Sequence, residues 1–191
     1  MKHLPLLLIG SSLVLAGCGA REPSVSDRLS NPLFAERYAE EMVDMLTERE
    51  IQKDPLLEDA KKVQLLVDTR QEWMRKAQEA REQQHEGMGG SMFEMGEYAV
   101  GEVLLMEDSL FFASDFATVP GPDLRVYLTT AVDPREVSFP DTSSIDLGRL
   151  PTPYGAQRMG VPNLSNPLAY RTVVLWEASL GRLYGFAQLT P

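Results

Sequence analysis

The chain has 191 residues, 28 Asp and Glu against 18 Lys and Arg, and a formal net charge of -10. That length supports one well-buried core plus an accessory element, and the acidic balance argues against nucleic acid, whose phosphates require a basic stripe. One cysteine excludes an intrachain disulfide framework.

The first residues form a targeting segment. Lys2 supplies the positive start, and the apolar run Leu4 to Leu15 is too short for the roughly 20 residues of a spanning helix. Leu15-Ala16-Gly17-Cys18 follows. This resembles the bacterial lipoprotein signal, which implies cleavage before Cys18, a diacylated thioether on its sulfur and an acylated amine. Residues 1–17 are then a leader and 18–29 a polar, lipid-anchored tether. Gly19, where an Asp would favour inner-membrane retention, points to the outer membrane, facing the periplasm. An acylated Cys18 leaves no thiol for redox chemistry.

Residues 30–86 predict a helical hairpin. Asn31-Pro32 and Asp54-Pro55 each pair a side-chain cap with a proline at the first helical position. The first helix, to about Gln52, aligns Phe34, Tyr38, Met42, Met45 and Leu46 on one stripe. The second, from Pro55 to about Glu86, aligns Leu56, Ala60, Val63, Leu66, Val67, Trp73, Met74 and Ala77, and its stripe fades after Ala80, leaving solvated last turns. The stripes predict a hairpin core, and the alternative is an apolar face shared with a partner or a second copy.

Residues 87–95, opening Gly87-Met88-Gly89-Gly90-Ser91, read as a flexible Gly/Met-rich hinge. Residues 96–191 read as an all-β domain, so the fold class is α+β: a helical hairpin, then a sandwich or small barrel. The candidate strands are Tyr98 to Met106, Ser109 to Ser114, Leu124 to Thr130, Ile145 to Leu150, Ala156 to Val161 and a final hairpin from Tyr170 to Leu189. In that hairpin Val173 and Leu175 face one way and Val174 and Trp176 the other, the pattern of a buried central strand.

The order of Gly101, Gly121-Pro122-Asp123-Leu124 before Val126-Tyr127-Leu128, Ile145-Asp146-Leu147-Gly148, Gly155-Ala156-Gln157, the Tyr170 to Trp176 strand and Gly185-Phe186-Ala187-Gln188-Leu189 resembles the DM13 domain. The resemblance runs from about Gly96 to Leu189. It implies a β-sandwich module of extracytoplasmic proteins, assigned to electron transfer through a cysteine or a haem-like group. That cysteine would follow Trp176, where this chain has Glu177. A carboxylate has no redox couple and is a hard oxygen ligand, so the thiol chemistry does not carry over.

From Ser91 to Pro191 there is no His, Lys or Cys, which removes the usual base, amine and thiolate of catalysis. The remaining acid-base candidates, Asp115 with Asp123 and Asp133 with Glu136, read as turn residues, so the chain is read as a non-enzyme. Glu177 is expected at a strand end facing solvent; if buried, it would need Arg171 or Arg182 as a partner. Trp176 and Tyr127 read as core aromatics. His85, Met88, Met92 and Met95 lie at spacings of three, four and three and could hold Cu(I) through soft donors, whereas the alternative packs the methionines against the sheet. The reading is a membrane-anchored envelope lipoprotein with no cofactor, acting in binding or assembly with an envelope protein. The alternatives are an electron-transfer accessory holding a cofactor such as haem, and a copper binder at the hinge.

Overall fold

The computed structural model describes residues 24–191; the leader and Cys18 lie outside the described residues. The chain opens with a capping box in which Ser24 and Asp27 satisfy each other's main-chain N–H groups at the start of a short helix, α1 (Val25–Arg28). Asn31 then caps α2 (Pro32–Ile51), its Oδ1 accepting from Leu33 N–H at 3.1 Å. The Asp54-Pro55 signal builds a single 3-10 turn, Pro55–Glu58, rather than the start of the long helix. Asp59, in an extended conformation, accepts from Lys61 N–H and starts α3 (Ala60–Gln84) afresh. An Asp side chain competing for backbone donors interrupts the helix where periodicity alone runs through.

The two helices pack as an antiparallel hairpin around buried Ala39, Leu46, Leu66, Ala77 and Ala80. The ring centroids of Tyr38 and Trp73 lie 5.3 Å apart, edge to face. Arg81 bridges to both Glu36 and Glu40, and Gln84 donates to Pro32 O at 3.2 Å. The end of α3 is therefore docked on the start of α2 on one side, while Arg81, Glu82 and Gln83 remain exposed as the fading stripe predicts. Met74, assigned to the stripe, is more than half exposed.

The second half is antiparallel throughout. Its strands are β1 (Met88–Glu94), β2 (Ala99–Val100), β3 (Glu102–Met106), β4 (Ser109–Phe112), β5 (Ala117–Thr118), β6 (Leu124–Thr129), β7 (Ile145–Arg149), β8 (Gln157–Gly160), β9 (Thr172–Glu177) and β10 (Arg182–Gln188). Eight form one nearly closed, barrel-like sheet in the order β7-β6-β9-β10-β1-β3-β4-β8, and β2 pairs with β5 alongside. Gly101 splits the first expected strand into β2 and β3: its φ is +104°, and a β-carbon there would lie 2.5 Å from Phe116 Cα.

The expected hinge is the largest correction. Residues 88–94 form β1 in the middle of the sheet, paired with β3 through Met88 to Ser91 and with β10 through Met92 to Glu94. The strand period was present, with Met88 and Met92 inward and Phe93 outward, but glycines hid it. Gly90 is there for close approach, since a β-carbon would fall 2.2 Å from Gln188 O. The β-domain thus begins at Met88.

Inside the barrel pack Val103, Leu110, Phe112, Phe116, Leu128 and Leu175, all essentially solvent-free. Each such side chain contributes about 1.5–3 kcal/mol through burial. A second cluster lies on the outer face of the same sheet, with Tyr127, Val174 and Phe186 under Phe139 and Trp176. Phe139 meets Tyr127 edge to face at 5.4 Å and Trp176 at a tilt at 5.2 Å. Strand β9 is buried on both faces because it feeds both clusters, as its unbroken apolar run predicts.

Candidate functional site

At one end of the β6–β9 pair, Glu177 stands opposite Leu124, and Ala178 N–H donates to Asp123 O at 3.0 Å. The segment Val119-Pro120-Gly121-Pro122-Asp123 folds over this end. Glu177 has no exposed surface. Its Oε1 accepts from the N–H groups of Asp123 and Ser179, each at 3.1 Å, and Oε2 accepts from Asp123 N–H at 3.0 Å.

This corrects the expected solvent-facing Glu177, and neither proposed arginine is its partner. Arg182 pairs with Glu97 at 2.9 Å, and the carboxylate is instead compensated by peptide N–H groups. Charge-assisted bonds from fixed backbone donors offset desolvation without burying a second charge. Gly121 completes the arrangement, because a β-carbon there would lie 2.2 Å from Glu177 Oε2. The Tyr184 hydroxyl is adjacent, and its titration is pushed up by burial first and then by the charges of Glu177 and Glu97, with Arg182 opposing.

The Asp123 side chain points into a different network. Its Oδ1 lies 2.7 Å from Arg149 Nε and 3.5 Å from Arg125 Nη1, and Arg125 also meets Asp146 at 2.7 Å. Oδ1 makes no well-aligned hydrogen bond, so the attraction to the guanidinium groups is one of charge. Beside it lies an open cleft of about 220 Å³ walled by Pro120, Pro122, Leu150 and Pro153.

The other sequence candidates are dispersed. Asp115 lines a separate cleft with Phe34 and Tyr38 of α2, so it does not share a cleft with Asp123. Asp133 caps the turn Pro134–Glu136 and is held below the ordinary carboxylate range by its hydrogen bonds to Arg135. Trp176 and Tyr127 belong to the outer aromatic cluster.

His85 is exposed at the end of α3, Met88 and Met92 are buried inside the barrel, and Met95 packs in the outer cluster. The sheet separates Met88 and Met92 from Met95, and His85 lies outside, so the four side chains do not converge. Among the described residues, His, Cys, Asp and Glu nowhere gather in threes at metal-holding distance. The Glu177 site likewise does not fit a thiol couple or haem ligation, since it presents carboxylate oxygen and backbone donors, and among the described residues no sulfur or imidazole lines the adjoining cleft.

The burial of Glu177 was not legible from its own strand. The signal lay in the turn-forming Gly121-Pro122-Asp123 just before β6, which delivers the Asp123 N–H to the residue that ends the neighbouring strand.

A helical hairpin on a nearly closed antiparallel β-domain, with a buried acidic residue at one end of the sheet, defines the class of molecule. A family profile described as "Electron transfer DM13" matches residues 93–189, just over half of the chain, and the protein belongs to that family. Searches of curated proteins and of solved structures find no match.

Proposed function

We propose that this protein is an acyl-anchored component of the bacterial envelope whose DM13 domain works as a non-catalytic binding or assembly module. Cys18 is the proposed acylation site, and two or three acyl chains hold a protein stably at a bilayer. Among the described residues no helix is long and apolar enough to cross a membrane, so in this reading the lipid alone makes the attachment. The proposed location is the periplasmic face of the outer membrane, with an envelope protein as partner.

One observation carries the non-redox reading. Where the family resemblance places a cysteine, Glu177 is fully buried and engaged by the main-chain N–H groups of Asp123 and Ser179. That arrangement braces a loop and has no electron to give. The family description supports a second reading, an electron-transfer accessory that carries its cofactor elsewhere.

Protein purified from its native membrane separates the two. A colourless preparation is expected, and a haem or flavin absorbance band overturns the first reading in favour of the second. Replacement Cys18→Ser is expected to abolish acyl labelling by radioactive palmitate, and retained labelling sinks the anchor.

A further inference from the structure

The barrel-like sheet ends in two strands, β7 and β8, that among the described residues pair with no strand on their outer sides. They are pinned together only where the chain passes from one to the other. There Gln157 Oε1 accepts from Thr152 N–H at 3.1 Å, and Gln157 Nε2 donates to Thr152 O at 2.7 Å. Beyond that pin the ladder does not close, and a seam is left in the wall.

The two edges are built differently. β7 carries a bulge opposite Val126 and Tyr127, Gly148 sits at a φ of +106°, and Asp146 Oδ1 takes the Gly148 N–H at 2.8 Å. A bulge of this kind stops further strands from adding to an edge. β8 is regular. Just past its end Val161 N–H donates to Asp108 O at 2.6 Å, so by the alternation of an antiparallel ladder Met159 and Gln157 also turn their main chains toward β4. The N–H and C=O groups of Arg158 and Gly160 therefore point away from the sheet, and both residues are exposed. Among the described residues these groups have no other main-chain partner.

The core is thin at the same seam. Ile145 and Leu147 of β7, with Leu150 just beyond it, pack on the barrel core yet remain partly exposed, whereas Val126 and Leu128 of the neighbouring β6 are solvent-free. One added strand would supply both what β8 lacks in hydrogen bonds and what β7 lacks in apolar cover.

We propose that the seam between β7 and β8 receives an extended strand of the envelope partner, an inference that rests on the assembly reading above. The strand adds to β8 by pairing with the main chains of Arg158 and Gly160, and its alternate apolar side chains lie over Ile145, Leu147 and Leu150. A second copy of this chain fits less well. The inward side chain of its own β8, Met159, is already buried in its own barrel, so a copy brings hydrogen bonds without the apolar cover.

The test uses the full acylated chain in whole cells, with a photoreactive benzoylphenylalanine in place of Arg158 or, as a control away from the seam, of Leu65, which is 67% exposed on α3. Cross-linking from position 158 to another envelope protein is expected, and Gly160→Pro is expected to reduce it several-fold. That substitution removes an outward N–H but no ladder bond. Amide exchange reads the same pairing without a substitution: Arg158 and Gly160 should exchange several-fold more slowly in the copurified complex than in the protein alone. Equal exchange in the two, or cross-linking indifferent to Gly160→Pro, overturns the strand addition. Products from position 65 alone overturn the seam and leave the assembly reading standing, and a product of two copies of this chain makes the occupant a second copy and also overturns the proposal. Cross-links from neither position overturn both readings.

Discussion

Glu177 is a buried carboxylate whose compensation comes from peptide donors, and its removal strands them. Glu177→Ala leaves the N–H groups of Asp123 and Ser179 without partners, at a cost of about 1–3 kcal/mol for a buried unpaired group. Glu177→Gln keeps one acceptor oxygen and is expected to lose less; urea unfolding of the two variants checks the order. Gly121→Ala drives a methyl group into Oε2 and destabilises the wild type, yet costs less in the Glu177→Ala background, where the obstruction is gone. A double-mutant cycle with additive losses would show that the two residues do not act together.

Asp141 offers a pH readout. Burial alone would raise its titration, but hydrogen bonds from Ser144, Ser143 and Thr129 outweigh burial and hold it below the ordinary carboxylate value. A carboxyl depressed in the folded state stabilises the fold above its unfolded pKa of about 3.9, and that contribution is lost as pH falls through the folded value. Asp141→Asn is therefore expected to lower stability at neutral pH and to flatten its decline in acid. Thermal melts from pH 7 to pH 2 would measure both.

Among the elements, β1 shows how composition can mislead about mechanics. Three glycines in five residues suggest a loose joint, yet the segment is hydrogen-bonded on both edges and bears core methionines. Gly90→Ala must force β1 away from the backbone of Gln188, which no rotamer can relieve. An overpacking loss of about 1–3 kcal/mol is expected, together with faster amide exchange in β1 and β10. Wild-type exchange would contradict the packed strand. The turn between α2 and α3 carries the same lesson at smaller scale, since Asp59 rather than Asp54 starts the long helix.

Across the whole molecule, Asn31 links the hairpin to the barrel. It caps α2 with one end of its amide and bonds Phe112 O with the other. Asn31→Ala removes both, leaves a carbonyl without its partner and is expected to cost about 1–2 kcal/mol. Proteolysis should then cut first in the opening turn of α2 while the barrel persists. A variant whose hairpin and barrel resist as one unit would place the coupling elsewhere. The same architecture keeps the soft-donor side chains apart, since the sheet divides Met88 and Met92 from Met95 and leaves His85 outside.

Much of this was determined by local chemistry that the chain carries within itself. Proline after Asn31 marked a helix start, three- and four-residue spacing marked the hairpin, and the unbroken apolar run of β9 marked a strand buried on both faces. Such signals survive in one dimension because helix caps and side-chain periods involve near neighbours. What the tertiary structure alone decided depends on partners far apart in sequence. Asp123 reaches Glu177 across 54 positions, and Gly90 is required by Gln188. Burial of a charge and the meaning of a glycine both depend on which backbone arrives beside them, and folding alone brings it there.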